Sequence, residues 1–160
     1  MSEISLRTMI EHAAAVTRKI FEQSGRVLPM YYYVRADGQH CVFGIPEIGD
    51  KDVIANSVRR VLAEEGAVKL VQMQEVWTFD ARDEQEARAW AGRVHLRADR
   101  KEMIWLNGES TTEPSLQGYM PISRNPDGSA RLGELEILQP THTEGRFAVM
   151  LPAGAAIRPN

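Results

Sequence analysis

Four residues of this chain are of types that can carry out acid–base chemistry if the fold brings them together: Glu75, His95, Asp99 and Glu102. Glu75 lies in segment 71–79, where the other residues on its side of a predicted strand are large and apolar. This follows because a strand points alternate side chains to opposite faces. An ionised carboxylate in an apolar layer is costly unless a cation or several donors meet it. Glu75 therefore predicts either a structural ion pair or a functional site.

One alternative is catalytic. If the strands around Glu75 and Ile104 are neighbours, the segment between them brings His95, Asp99 or Glu102 within reach of Glu75. A histidine with carboxylates can hold a divalent metal or act as an acid–base pair. This alternative predicts a small metal-assisted or acid–base hydrolase, with a charged excursion over residues 80–101 as its lid. The spacing matches no trusted metal motif, so no metal or cofactor is assigned.

The other alternative is structural. Arg100 or Lys101 neutralises Glu75, and the rest of the segment is a solvated loop. Ion-pair networks perturb carboxylates as readily as active sites do, so this interpretation is favoured.

Aromatic residues indicate a second kind of site, a protein contact. Tyr31 and Tyr33 point away from Tyr32 in a strand, so one or two of the three are exposed. Tyrosine and tryptophan are favoured at protein interfaces, which makes Tyr31, Tyr33 and Trp90 interface candidates. Half-buried packing within the sheet explains the same residues equally well.

Sharper reaction motifs are absent. The sequence has no GxxxxGK[ST] phosphate loop, no GxGxxG fingerprint, no HExxH and no GxSxG elbow. Its one cysteine, Cys41, excludes an intrachain disulfide and is expected to be a buried, inert thiol.

Composition sets the broad class. The 160 residues, 43% hydrophobic and 26% charged, predict one globular domain over residues 1–152. The net charge of −3 argues against nucleic-acid binding, although a local anion patch at Arg93, Arg97, Arg100 and Lys101 remains open. No apolar stretch is long enough to span a membrane, and the first residues lack a secretory signal. We therefore expect a cytoplasmic protein.

Hydrophobic periodicity and turn residues predict the elements that position these side chains. A first amphipathic helix should bury Leu6, Met9, Ala13, Val16 and Ile20, with Ser2 or Ser5 as its cap and Gly25 at its end. A second should run from Asp50 or Asp52 to Glu65. Strands are predicted over 30–36, 40–46, 68–79, 101–106, 116–124, 131–139 and 146–151, with a hairpin at Asp37-Gly38 and a loose tail at 153–160.

Successive strands with short turns predict an α+β fold: one twisted, mainly antiparallel sheet of about six or seven strands, with two amphipathic helices packed on one face. The leading functional hypothesis is a non-catalytic binding module that acts through a homodimer or a protein partner. The hydrolase is the alternative.

Overall fold

The computed structural model describes residues 3–45, 49–139 and 150–151. The predicted strand at 146–151 falls mostly outside these residues, and the predicted tail at 153–160 lies wholly outside them. In chain order the elements are α1 (Leu6–Ser24), β1 (Met30–Arg35), β2 (His40–Gly44), α2 (Lys51–Glu64), β3 (Ala67–Thr78), α3 (Glu84–Ala89), a 3₁₀ turn (Val94–Leu96), β4 (Lys101–Ser110), β5 (Leu116–Arg124), β6 (Ala130–Leu132) and β7 (Glu136–Leu138).

The described strands form one antiparallel sheet in the order β2-β1-β3-β4-β5-β6, with β7 also paired to β5. This confirms the predicted α+β class and the mainly antiparallel sheet of six or seven strands. The segment predicted as one strand at 131–139 is broken at Gly133. Gly133 donates its N–H to the Pro121 carbonyl, at a point where Pro121 itself has no N–H to offer the ladder.

Local chemistry explains where the helices begin and end. The Ser5 hydroxyl caps α1 by accepting the N–H of Thr8 at 3.1 Å. Gly25, at φ 74°, ends the helix and donates its N–H to the Phe21 carbonyl. The Asp50 carboxylate caps α2 through the N–H groups of Asp52 and Val53, so Asp50 is the correct one of the two predicted starts.

The two long helices pack on opposite faces of the sheet, so the prediction that both cover one face is wrong. α1 packs with Val71 and Met73 of β3, whereas α2 packs with Leu70 of the same strand. Neighbouring strand residues point to opposite faces, and β3 is apolar at both kinds of position. The sheet is therefore the middle of three layers where both helices cover it.

The buried face of α1 is rotated from the predicted one. Its buried residues include Ile10, Ala14, Thr17 and Phe21, while Val16 is 53% exposed. α1 lies close to the sheet at Gly108, where an added Cβ would come within 3.1 Å of Leu6 and Ile10.

Candidate functional site

A cleft opens where the sheet extends past the end of α1. α1 covers β3 as far as Met73 and ends at Gly25, and the segment after it follows the sheet as an extended chain. Beyond that point β3, β4 and β5 continue without the helix. The resulting hollow has a volume of about 280 Å³ and is lined by Arg26, Val27, Pro29, Glu75, Val76, Trp77, Glu102, Ile122 and Arg124.

The register of the strands places the charged and aromatic side chains of this cleft. Trp77 of β3 is opposite Glu102 of β4, and Glu102 is opposite Ile122 of β5. Because directly opposed residues share a face, these three side chains form one row across the sheet. Arg124 comes two residues further along β5, on the same face.

Glu75 is exposed, so the prediction of a carboxylate enclosed in an apolar layer is wrong. Its Oε1 accepts the backbone N–H of Val27 at 2.6 Å. The predicted ion pair with Arg100 or Lys101 is not formed: Arg100 donates to the Arg97 carbonyl, and Lys101 pairs with Asp80 at 2.5 Å. Glu75 therefore fastens the segment after α1 to the sheet.

Glu102 is the best-connected group in the cleft. It accepts the Nε–H of Arg124 at 2.6 Å and the indole Nε1–H of Trp77 at 3.1 Å. Burial alone would raise the pKa of Glu102, but the hydrogen bonds from Arg124 and Trp77 outweigh it and hold the pKa below its ordinary value. Glu102 is therefore an anion that fixes both neighbours.

His95 contacts Trp77 without lining the cleft itself, and Asp99 does not line the cleft either. The His95 ring lies beside Trp77, with ring centroids 5.9 Å apart. Asp99 forms a two-point ion pair with Arg97, at 2.7 and 2.8 Å, which lowers the pKa of Asp99. The arginine partners favour the ionised form of both Glu102 and Asp99, which disfavours either carboxyl group as a general acid but is compatible with a general base. Within the described part of the chain, no three histidine, cysteine, aspartate or glutamate side chains are placed to hold a metal ion.

The predicted excursion at 80–101 contains α3 and the 3₁₀ turn. Arg97 lies between two aromatic rings, 4.1 Å from the Phe79 centroid and 4.8 Å from that of Trp90. Such cation–π contacts are favourable. Trp90 is consequently half-buried within its own segment, with Arg93 on its ring as well.

Tyr31 and Tyr33 lie in the layer under α2, only 2% and 6% exposed. Burial raises the pKa of both, that of Tyr33 to about 12 with a contribution from a hydrogen bond to Cys41. This burial removes the exposed surface that the predicted contact role of Tyr31 and Tyr33 requires. Cys41 is half-buried rather than fully enclosed.

A second hollow, which sequence reasoning missed, lies between α1 and β2, the last strand on that side of the sheet among the described residues. It measures about 260 Å³, and its lining side chains are mainly apolar: His12, Ala13, Val16, Ile20, Met30, Tyr32, Val42 and Met73. Val16 and Val42 are 53% and 63% exposed. Tyr32 reaches this face rather than the α2 face, and its hydroxyl lies 2.6 Å from His40 Nδ1. Val16 could have indicated this hollow, because it is an apolar residue that lies outside the most apolar face of α1.

None of the helices in the described residues is long and apolar enough to cross a membrane. Comparison with family models, with curated proteins and with solved structures finds no match to this chain.

Proposed function

We propose that this chain is a non-catalytic binding module that self-associates through β2 and the apolar groove beside it. The observation that carries the proposal is Val42, a large apolar side chain 63% exposed on the last described strand of the sheet. It faces the groove that Val16 and Ile20 of α1 also line. Apolar residues that are exposed together in a groove are typical of contact surfaces.

The edge itself supports a partner that adds a strand. Every second residue of an edge strand directs its N–H and C=O away from the sheet, and proteins commonly protect such edges with charge or proline. β2 reads His-Cys-Val-Phe-Gly, with no aspartate, glutamate, lysine or arginine. An added strand therefore meets no charge along this edge.

A second copy is the partner that this edge fits. Two β2 strands paired antiparallel around a two-fold axis at Val42 place Val42 opposite its own copy and Cys41 opposite Phe43 of the other chain. The same apolar residue is then buried from both sides, as a two-fold interface requires. The paired sheets become continuous, and the two grooves adjoin across the axis.

Size-exclusion chromatography with light scattering tests this proposal. At micromolar concentration we expect twice the 18.0 kDa mass of the chain. Val42→Asp should give a monomer, because two charges would face each other at the axis. Val53→Asp is the matched control, since Val53 is 61% exposed but lies on α2. A monomeric wild type, or a dimer that survives Val42→Asp, would overturn the proposal.

A further inference from the structure

Two hollows meet at Arg124 and Glu102. The first is the cleft at the end of α1. The second, of about 470 Å³, lies on the other side of these residues and shares Ile122 with the first; its lining adds Ala98, Arg100, Lys101 and Pro121. The pair of hollows thus forms one extended depression across the ends of β4 and β5.

The charge around this depression is opposite in sign to that of the chain. Four basic side chains and two acidic ones line it: Arg26, Arg100, Lys101 and Arg124 against Glu75 and Glu102. The formal excess is two positive charges, on a chain of net charge −3. Lys101 also pairs with Asp80 at 2.5 Å, and counting that carboxylate leaves an excess of one positive charge. The depression therefore favours an anion.

Arg124 has the donors to hold that anion. A guanidinium carries five N–H groups in a rigid fork that matches carboxylate and phosphate oxygens. In the described residues Arg124 donates through Nε alone, to Glu102 at 2.6 Å. Glu102 thereby fixes the guanidinium without using the N–H groups of its two terminal nitrogens. A fixed arginine with unused donors loses little freedom when a ligand binds.

Trp77 provides a flat apolar surface in the adjoining cleft. Trp77 is 51% exposed as a residue, although its indole N–H is bound to Glu102 and its ring contacts His95. Such a ring is held in place while much of it remains open. Stacking of a planar group on tryptophan is favourable and tolerant of the identity of that group.

We propose that this depression binds a small aromatic anion, with its ring against Trp77 and its phosphate or carboxylate group on Arg124 and Arg100. The cleft of about 280 Å³ is at the lower end of the range for ligand sites, so the ligand has one or two rings rather than a long chain. This site is separate from the groove at β2 and does not depend on self-association.

Isothermal titration calorimetry with four probes tests the ligand chemistry: phenyl phosphate, benzoate, inorganic phosphate and phenol. We expect one or both aromatic anions to bind about tenfold or more tightly than the other two, because only they use the ring and the charge together. Whichever aromatic anion binds better identifies the acidic group. If inorganic phosphate binds as well as phenyl phosphate, or no aromatic anion binds at millimolar concentration, the proposal is overturned.

Variants test the residues. Arg124→Gln and Trp77→Leu should each weaken the preferred aromatic anion about tenfold or more, whereas Arg131→Gln, on exposed β6, should leave its affinity unchanged. Circular dichroism confirms that each variant is folded. Should Arg124→Gln unfold, the double variant Arg124→Gln/Glu102→Gln removes the unpaired carboxylate and keeps the test valid. Wild-type affinity in both folded variants would contradict the assignment.

Discussion

The indole N–H of Trp77 and the guanidinium of Arg124 donate to the same carboxylate, Glu102, at 3.1 and 2.6 Å. The carboxylate thereby links β3 and β5 through β4 at the mouth of the cleft. A change in the charge of Glu102 should alter the fluorescence emission of Trp77, so this emission can report on the cleft.

Acidification should disrupt this link. The pKa of Glu102 is held below its ordinary 4.5, so its interactions stabilise the fold above pH 4.5 and are lost as the pH falls through the lowered pKa. We expect tryptophan emission to change in that acid range. The Glu102→Gln variant should lack this acid transition in tryptophan emission, while any emission change with a different cause should remain. The same acid transition in both proteins would show that Trp77 does not report on Glu102.

Lys69 should be the most costly cation to remove. Its side chain is 3% exposed and pairs with Glu113 at 2.8 Å, while Glu113 also accepts the N–H of Leu6 at the start of α1. Glu113 is 34% exposed and water can partly solvate it once the cation is removed, so Lys69→Met should lower the free energy of unfolding by about 2 kcal/mol. Urea denaturation measures this loss.

The control for Lys69 is the exposed pair of α3, in which Arg88 and Glu84 are 69% and 76% exposed. Arg88→Ala should change stability by less than about 0.5 kcal/mol.

Burial alone would lower the pKa of Lys69, but Glu113 and Glu3 raise it above 10.5. The contribution of Lys69 should thus be constant from neutral pH to pH 10.5 and decline at more alkaline pH. A decline near neutral pH would contradict it.

Gly108 should resist enlargement. An added Cβ would lie 3.1 Å from both Leu6 and Ile10 and 3.2 Å from the Leu116 carbonyl oxygen. Gly108→Ala should therefore push α1 from the sheet and cost about 1–3 kcal/mol. Gly44→Ala is the comparison, because its nearest contact is an ordinary 3.7 Å and its φ is not left-handed. Equal melting temperatures for the two variants would contradict the close approach of α1.

Arg97 should hold the segment 80–100 against the sheet. α3 contributes no buried residue, so the segment is held by side-chain contacts, of which Arg97 between Phe79 and Trp90 is one and His95 beside Trp77 is another. Arg97→Ala should speed proteolytic cleavage within 80–100 while the global melting temperature changes little, because opening is local. Arg88→Ala, on the same segment, should leave the cleavage rate unchanged. A large drop in melting temperature would instead show that the segment is part of the core.

Local signals predicted most of the fold. Helix caps and tight turns depend on residues that are close in sequence, so they can be predicted from a single sequence. The caps at Ser5, Gly25 and Asp50 and the turn at Asp37-Gly38 are of this kind. The side of the sheet on which α2 packs depends instead on contacts distant in sequence. β3 is apolar at Leu70 as well as Val71, and either face could have received a helix.

The candidate site was predicted only in part, for a similar reason. Period-two alternation correctly placed Glu75 on the face of Met73. It contains no information on where α1 stops, and that end point decides whether a residue on this face is enclosed or open. The positions of the strands also predicted that Glu102 lies near the cleft. The ion pair of Asp99 with Arg97 was not predicted, because it forms within an irregular segment that has no hydrophobic periodicity.

The alternation of β3 also constrains its alignment with its neighbours. Leu70 belongs to one helix layer and Val71 to the other. A slip of one position would deliver Lys69, with its charge, to the layer beneath α2 and would separate it from Glu113. Lys69 therefore favours one register of β3 with its neighbouring strands.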